Sequence, residues 1–587
     1  MSVEIVCSAP GKVLVSGGYL ILDRPQTGAV LALSARFYSA VRVIASRAAQ
    51  IEIDVFSPQF SDHRRYRFDT NGPDPRLVAL PLTAGASLPK PNPYVEIPLL
   101  YVLTLAFQGD RDFAAATAAR FGLRGGAGVR LEVTLAADNS FYSQVGELSA
   151  RGLPLSAEAA AKLPAFLPPR RDEDGEIPKT GLGSSATLVT SLVSALLHAF
   201  DLVRLDGAPA APAVSVGGRR RLSTTIAGDG ALEVLHALAQ LCHCAAQGKV
   251  GSGFDVSAAV YGSHRYCRFS PALLQAALGA PAGVPPPTDV LLATTRLYGG
   301  GEAWDHEVVP LALPPGIELM MGDVCCGAHT PSMVKKVNAW RKEAAGATAL
   351  WTDYAAASAA LQAALQALCE LHARIVARGG LEAEAGEWFA PLQHCGGVEA
   401  VEWGAAGGEV GGALAAVRAA CLRVRELLRV VGRGAGVGIE PEAQTALLDA
   451  TMEQRGVLLA VVPGAGGADA VVALVIPAGP VHGLLATRQR VSALWQCWGA
   501  GGGAADGPPR SRVCELPVTE ASCDQRGGRN GIAFEGEAAA RKLRAAVQAM
   551  LAAKKADGPS SWSIAAAVAL TAAAVAALLV TTRRSRA

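Results

Sequence analysis

The sequence predicts an α+β protein with two lobes. Segments with strand and helix patterns alternate along the chain, but without the regular strand–helix rhythm of a parallel sheet. Half of the 587 residues are hydrophobic and 18% are charged, which is the composition of a globular protein with a sizeable core. The formal net charge is only +2, so we do not expect a nucleic acid partner.

In the first half of the chain, two short strands, Val3–Cys7 and Lys12–Val15, are predicted on either side of a turn at Ala9-Pro10-Gly11. The alternation of apolar and polar residues over Val41–Phe56 predicts strands with one exposed face. The other elements predicted in this half are a strand at Val129–Ala136 and helices at Tyr94–Phe107, Leu182–Phe200 and Ala231–Gln247.

The second half of the chain predicts a further set of strands and long helices. The predicted strands are Ile317–Val324, Val457–Val462 and Ala470–Ile476. The predicted helices are Ser332–Lys342, Tyr354–Ala377, Ala415–Val430 and Glu442–Gln454. The stretch Glu382–Gly412 is so rich in glycine and alanine that it gives no prediction.

The sharpest motif is Lys179-Thr180-Gly181-Leu182-Gly183-Ser184-Ser185-Ala186, which leads directly into a predicted helix. Glycines let the backbone approach an anion, and the start of a helix presents unpaired N–H groups and a positive dipole end. The serine hydroxyls add ligands for phosphate oxygens or Mg²⁺. The alternative is an ordinary glycine turn with a serine cap. The chain has no Walker A loop, because neither Gly11-Lys12 nor Gly248-Lys249 is followed by Ser or Thr, and the glycine spacing does not match a dinucleotide-binding fingerprint.

Three further sites give weaker signals when each is taken alone. Lys12 follows a Pro-Gly turn and is either a solvent-exposed lysine or a charge beside the phosphate motif. Asp255 follows Gly251-Ser252-Gly253 and is either a helix or turn cap or a functional carboxylate. The stretch Pro463–Asp469 lies between two apolar strands and is either a hairpin turn or part of the same site.

Together these motifs resemble the kinase superfamily named after galactokinase, homoserine kinase, mevalonate kinase and phosphomevalonate kinase. That superfamily carries Pro-Gly-Lys early, Gly-Leu-Gly-Ser-Ser-Ala in the middle and Gly-Ala-Gly-Gly late, and all three occur here in that order. The resemblance spans Val3 to Ile476. Within the superfamily, the chain looks similar to the eukaryotic-type phosphomevalonate kinases. The features behind that choice are Ser16–Leu20, Asp138–Gln144, Gly248–Asp255, Gly322–Val324 with Thr330–Val334, and Glu440–Asp449.

The resemblance implies a two-lobed fold, with a lobe like domain 2 of ribosomal protein S5 over residues 1–310 and a ferredoxin-like lobe over 311–550. It also implies an enzyme that uses ATP and Mg²⁺ to phosphorylate 5-phosphomevalonate in the mevalonate pathway of isoprenoid and sterol synthesis. Two alternatives stay open. One is another small-molecule kinase of this superfamily, such as mevalonate kinase, and the other is a membrane-tethered metabolite sensor without catalysis.

The same resemblance implies roles for individual residues. Lys12 and Asp255 are expected to be catalytic, and Ser185 to contact Mg²⁺. The residues expected to bind ATP are Lys179, Gly181, Leu182, Gly183, Ser184, Ser185 and Ala186. Those expected to bind the acceptor are Lys249, Ser252, Gly464, Ala465, Gly466 and Gly467. Because the second pKa of a phosphomonoester is about 6, we expect Lys12 to matter more for the rate than the basicity of Asp255.

One position departs from the superfamily pattern. Many relatives carry a glutamate where Gly18 stands in this chain. The resemblance therefore gives no Mg²⁺-binding carboxylate at this position.

The twelve cysteines predict a reducing compartment. They are scattered without the spacing of a disulfide framework, and the opening MSVEIVCSAP is not a secretory signal. The sequence Cys242-His243-Cys244 stands in an apolar run without a second ligand pair, so we expect a buried helix there rather than a metal site.

The end of the chain carries a candidate membrane anchor. The segment Trp562–Thr582 is uncharged and barely reaches the length of about 20 apolar residues that a bilayer span needs. Arginines follow it, and Trp562 precedes it, as suits two interfaces. Its alanine content also fits a soluble helix. We expect a tail anchor that leaves the two lobes facing the cytoplasm, in the cytosol or at the peroxisome.

Overall fold

The computed structural model describes most of the chain. The described ranges are 3–46, 50–69, 74–109, 128–172, 174–205, 215–216, 219–220, 226–297, 300–324, 330–477, 486–499, 512–521, 530–536, 540–541, 543–545 and 547–548. Among the helices in these ranges, none combines the length and the hydropathy that a bilayer span requires. The candidate anchor at 562–582 lies outside the described residues and stays a prediction.

The strands in these ranges are numbered in chain order. They are β1 (Val3–Ser16), β2 (Thr27–Ser46), β3 (Ile51–Ser57), β4 (Asp62–Asp69), β5 (Arg76–Leu80), β6 (Gly128–Ala137), β7 (Val203–Arg204), β8 (Ser215–Val216), β9 (Arg219–Arg220), β10 (Ile226–Ala227), β11 (His264–Cys267), β12 (Glu307–Pro310), β13 (Glu318–Asp323), β14 (Val457–Val461), β15 (Ala470–Val475), β16 (Cys514–Glu515) and β17 (Ala533–Phe534).

The α-helices in the same ranges are numbered likewise. They are α1 (Pro93–Gln108), α2 (Val145–Ala150), α3 (Ala157–Ala161), α4 (Ser184–Ala199), α5 (Gly228–Gln247), α6 (Phe254–Tyr261), α7 (Gln275–Leu278), α8 (Thr288–Thr295), α9 (Thr330–Glu343), α10 (Ala347–Ala383), α11 (Ala390–Gly397), α12 (Trp403–Ala406), α13 (Gly408–Ala435), α14 (Glu442–Met452) and α15 (Thr487–Cys497).

The first lobe is built on a nine-stranded sheet. Its strand order is β12-β11-β2-β6-β3-β4-β5, and β1 pairs with both β2 and β17. Strands β3 and β6 run parallel, whereas β2 runs antiparallel to β1, β6 and β11. Strand β17 joins this sheet although it lies in the range predicted for the second lobe, 311–550; the domain boundaries stay predictions. Helix α4 packs on β1 and β2 and contacts α1, α5 and α6.

Strand β1 corrects one prediction. The sequence predicts a turn at Ala9-Pro10-Gly11, but β1 runs through these residues. The prediction is wrong because β1 stays extended here while its register with β2 shifts: one residue of β1 and three of β2 lie between the pairs Pro10–Arg36 and Lys12–Ala32. The extra residues therefore belong to β2. At this irregularity the N–H of Lys12 donates to the Leu182 carbonyl at 3.0 Å, in the segment before α4.

The second lobe holds a four-stranded antiparallel sheet with the order β14-β15-β13-β16. Helices α10 and α13 pack on each other, and α13 also covers β14. The stretch that gave no prediction, Glu382–Gly412, is largely helical and buries Trp388 and Trp403 completely. These two tryptophans attach the stretch to the core. The pattern of buried residues was not recognisable in the sequence, because many of the residues around them are glycine or alanine. The predicted α+β class is confirmed.

Candidate active site

The segment before α4 forms an anion-binding turn. Gly181 and Gly183 both have left-handed backbone angles, with φ of 78° and 83°. Gly183 immediately precedes the helix, so the first N–H groups of α4 have no partner within the helix. These groups and the positive end of the helix dipole face the same point. Glycine is needed at 183 for a second reason, since a Cβ there would lie 3.2 Å from the Lys12 Cε.

The turn is braced from the segment after β6. The buried Thr180 donates its hydroxyl to the Ser140 carbonyl at 2.5 Å and its N–H to the Phe141 carbonyl at 3.3 Å. Tyr142 and Lys179 form a β-bridge. The stretch Asp138–Gln144 therefore holds the glycine turn before α4 in place.

Lys12 places its ammonium group at this turn. Its Nζ donates to the Gly181 carbonyl at 2.7 Å and lies 5.3 Å from the centre of the Phe254 ring. The residue is partly open to a cavity, but protein atoms crowd its charged end. Burial therefore lowers the pKa of Lys12, and the nearby Asp255 carboxylate partly offsets that effect. A buried ammonium beside a helix amino end is suited to a polyanion.

Asp255 lies in the first turn of α6, directly after the left-handed Gly253. Its Oδ1 accepts the N–H of Val256 at 2.9 Å, and its Oδ2 lies 4.0 Å from Nδ1 of His243. The side chain keeps 24% of its surface exposed. It is therefore accessible to a ligand while its own helix holds it in place.

The glycine turn between β14 and β15 docks onto the first lobe through backbone contacts. The N–H of Gly464 donates to the Leu14 carbonyl at 3.1 Å, and the Tyr19 hydroxyl donates to the Ala465 carbonyl at 2.6 Å. Behind the turn, Gly467 donates its N–H to the Ile439 carbonyl at 2.8 Å. The turn thus closes one side of the site rather than serving only as a hairpin.

These segments enclose a cavity of about 230 Å³. It is lined by Lys12, Leu14, Tyr19, Ile21, Leu22, Thr180, Gly181, Ser252, Phe254, Val334, Pro463, Gly464, Ala465, Gly466, Asp469 and Ala470. Three motifs that lie far apart in the sequence therefore meet around one space. Such convergence of glycine turns, a lysine and polar groups identifies the candidate active site.

The predicted site residues do not all stand in the same relation to this cavity. Leu182 and Ala186 have buried side chains, so only their backbone groups can reach a ligand. Lys179 and Lys249 are exposed and do not line the cavity. The lining also leaves out four other predicted residues, which lie beside it: Gly183, Ser184, Ser185 and Asp255. Gly467 also lies behind the lining, because its N–H is used by Ile439.

Gly18 has a structural reason to lack a side chain. A Cβ at this position would lie 2.3 Å from the Gly464 carbonyl oxygen. The Gly18 carbonyl also accepts the Tyr354 hydroxyl at 2.7 Å. The late glycine turn therefore occupies the space where many superfamily members carry glutamate, and no carboxylate fits there.

Sequence reasoning gave no role at the site to three residues, which are Tyr19, Tyr94 and His243. Tyr19 lines the cavity, and Tyr94 packs 6.1 Å, ring centre to ring centre, from His243. Asp469, the last residue of the predicted stretch Pro463–Asp469, also lines the cavity. His243 was assigned only to a buried helix, yet its Nε2 lies 3.1 Å from the Ser185 hydroxyl. A signal was present in the sequence, because His236, Gln240, His243 and Gln247 share one face of an otherwise apolar helix.

Comparison with known proteins identifies the family. A peroxisomal phosphomevalonate kinase of Arabidopsis thaliana is 35% identical over 497 residues, covering 80% of this chain and 90% of that protein. The chain belongs to the phosphomevalonate kinase family. A phosphomevalonate kinase of Gibberella zeae is also 35% identical, over 84% of this chain and 92% of its own length. The phosphomevalonate kinase of Candida albicans is 30% identical, over 80% of this chain and 89% of its own length.

Two other comparisons add context. No protein-family model matches the chain. Among solved structures, Streptococcus pneumoniae phosphomevalonate kinase in complex with phosphomevalonate and AMPPNP is 14% identical, with a TM-score of 0.44 over 84% of this chain and 96% of that one. Membership of the phosphomevalonate kinase family agrees with the order of the three motifs and with their meeting around one cavity.

The Gly18 contact yields a test. Replacing Gly18 with alanine pushes a methyl group into the Gly464 carbonyl and displaces the late turn. We expect kcat/KM to fall at least about tenfold, since a misplacement of about 1 Å can cost 100-fold, while circular dichroism stays native. Gly412→Ala on the exposed face of α13 is the control, because a Cβ there meets nothing within 4 Å. Equal activity in the two variants would contradict the close contact.

The Lys12–Asp255 pair predicts a shift in the pH profile. Lys12 is charged below its pKa, which burial lowers and Asp255 raises. Asp255→Asn removes the opposing charge, so the ammonium is lost at a lower pH. We expect the basic limb of kcat/KM to move down by about one pH unit or more. Asp289→Asn is the control, because Asp289 is exposed. If the basic limb of Asp255→Asn stays in place or moves to higher pH, the Lys12–Asp255 pair does not determine the pH profile.

Proposed function

We propose that this chain transfers the γ-phosphoryl group of ATP to the phosphate of (R)-5-phosphomevalonate, giving 5-diphosphomevalonate. Its membership of the phosphomevalonate kinase family supports this activity. The observation that carries the proposal is local: Lys12 Nζ lies at the amino end of α4, on the wall of a cavity that the late glycine turn closes. Phosphoryl transfer needs this concentration of positive charge.

ATP would bind with its phosphates at the turn before α4. The N–H groups of Ser184, Ser185 and Ala186 open the helix and can donate to phosphate oxygens. The left-handed glycines keep this backbone free of side chains on the approach side. Lys12 can exchange its Gly181 carbonyl for a phosphate oxygen, which a polyanion favours over a neutral acceptor.

Mg²⁺ fits the oxygen donors that lie beside the cavity, at the amino ends of α4 and α6. The Ser185 hydroxyl and the Asp255 carboxylate both lie against the imidazole of His243, at 3.1 and 4.0 Å, so two hard oxygen donors stand near the helix end. Mg²⁺ is commonly held by one or two protein oxygens together with substrate phosphates. When bound, it neutralises charge on the β- and γ-phosphates. Ser185 would hold it, with Asp255 as the neighbouring carboxylate.

The acceptor differs from an alcohol in its acidity. With a second pKa of about 6, a phosphomonoester is largely dianionic at neutral pH and needs little help to lose a proton. The obstacle is repulsion between two polyanions, which a cation between them lowers. Lys12 supplies that cation. Asp255 helps to keep it charged, because the carboxylate raises the pKa that burial lowers. Ser252 lines the same cavity and is placed to bind the acceptor.

A paired-substrate assay tests this proposal. ADP release is measured with phosphomevalonate and, separately, with mevalonate as acceptor. We expect turnover with phosphomevalonate and little with mevalonate. Lys12→Ala should lose at least about 100-fold in kcat, and Asp255→Asn should lose less, since the acceptor is already ionised. Preference for mevalonate would overturn the substrate, and a larger loss in Asp255→Asn would overturn the division of roles.

We further propose that residues 562–582 anchor the chain in a membrane, with both lobes on the cytoplasmic side. The support is the uncharged run that reaches bilayer length, with tryptophan before it and arginines after it. Carbonate extraction of cells that express the full chain tests this proposal, with a chain ending at residue 556 as the control. We expect the full chain to pellet with membranes and the shortened chain to be released. Release of both would refute the anchor.

A further inference from the structure

One buried helix carries an unusual polar face. The middle of helix α5, from Val234 to Cys244, is buried between α4, α1 and α6, where apolar side chains are expected. Yet His236, Gln240 and His243 lie on one face of it, with exposures of 0, 0 and 3%. Gln247 continues the same face at the end of the helix. Buried polar side chains are costly unless they are bonded, so this face needs a specific reason.

The polar residues on this face of α5 contact residues of the active site. Gln240 donates from Nε2 to the Gly253 carbonyl at 2.6 Å, two residues before Asp255. His243 touches the site on both of its ring nitrogens. Its Nε2 lies 3.1 Å from Ser185 Oγ, and its Nδ1 lies 4.0 Å from Asp255 Oδ2. A single imidazole therefore spans the first turn of α4 and the first turn of α6.

Two side chains lie within hydrogen-bond distance of His243 Nε2. The Gln247 amide is 3.0 Å away and the Ser185 hydroxyl is 3.1 Å away. The Ser185 hydroxyl is therefore held on the Nε2 side of the ring, while Nδ1 faces Asp255. Whether Ser185 donates to this nitrogen or accepts from it, its oxygen keeps at least one lone pair for a cation or phosphate ligand.

We propose that His243 is a positioning residue that orients Ser185 through Nε2 and Asp255 through Nδ1. The inference rests on the proposed function, since it concerns the same phosphoryl transfer. At 4.0 Å the Nδ1–Asp255 contact is longer than a hydrogen bond; such contacts tighten when substrates bind. Residues that orient ligating groups in this way typically contribute 10- to 100-fold to metal affinity or activity.

Two substitutions separate the two contacts. The His243→Gln side chain can reach the position of Nε2 and keep Ser185, but it leaves the Nδ1 side empty. The His243→Asn side chain places its amide near Nδ1 and keeps Asp255, but it falls short of Ser185. A purely structural histidine would give two variants that differ only in stability. A positioning histidine gives a different defect in each variant, in kcat for one and in nucleotide affinity for the other.

The experiment uses the full chain and AMPPNP as the nucleotide probe, with thermal melting recorded for every variant. We expect His243→Gln to lose about 10-fold or more in kcat with nearly normal nucleotide affinity. We expect His243→Asn to weaken AMPPNP binding about 10-fold in Mg²⁺ and to match the wild type in EDTA. His198→Gln is the control, because His198 is buried near the far end of α4 and, among the hydrogen bonds described, its imidazole accepts only the Leu205 N–H.

The outcomes separate this inference from the function itself. If the wild type turns over phosphomevalonate but both His243 variants match His198→Gln in kcat and in AMPPNP affinity, the positioning role is refuted and the function stands. If the wild type shows no turnover but the AMPPNP pattern holds, the proposed acceptor is wrong while the arrangement of Ser185 and His243 survives. Parallel losses in both variants that follow their melting temperatures would assign His243 to packing alone.

Discussion

The active site depends on a buried ammonium group held at the amino end of a helix. Lys12 lies where the register between β1 and β2 shifts, and there its N–H donates to Leu182 and its Nζ to Gly181. Burial alone opposes the charge, and the carbonyl of Gly181 together with Asp255 only partly compensates. A bound polyanion would supply the remaining compensating charge. The fold therefore creates a positive potential at the point where the phosphates would bind.

The second lobe completes this site through backbone contacts of small residues. Gly464 presses on Gly18, and a Cβ at Gly466 would lie 2.2 Å from the Ile439 carbonyl. The residue after Ile439 is Glu440, fully buried and paired with Arg425 at 2.7 Å. Arg425 also bonds Asp449. These ion pairs link Glu440, next to the Ile439 backbone that contacts the glycine turn, to Arg425 in α13 and Asp449 in α14. Removing one partner would leave an uncompensated buried charge. Residues far from any substrate thus fix the geometry of the turn.

The sequence predicted the parts of this site better than their arrangement. The order of the three glycine motifs, α4 and the strands around the late turn follow from local patterns. The segment around Pro10 is predicted as a turn but stays in β1, next to a hydrogen bond from Lys12 to Leu182, 170 residues away in sequence. His243 was assigned to packing because its partners, Ser185 and Asp255, come from two other segments. The exclusion of a side chain at Gly18 likewise depends on Gly464. Each miss concerns a contact between residues distant in the chain, which local periodicity does not encode.

The most direct measurement is a crystal structure of this chain with AMPPNP, Mg²⁺ and phosphomevalonate. We expect the γ-phosphate to contact Lys12 Nζ, which leaves the Gly181 carbonyl, and the triphosphate to accept N–H groups from Ser184 and Ser185. The acceptor phosphate should lie between Lys12 and the turn at Gly464. A nucleotide bound elsewhere, with Lys12 still on Gly181, would contradict the account.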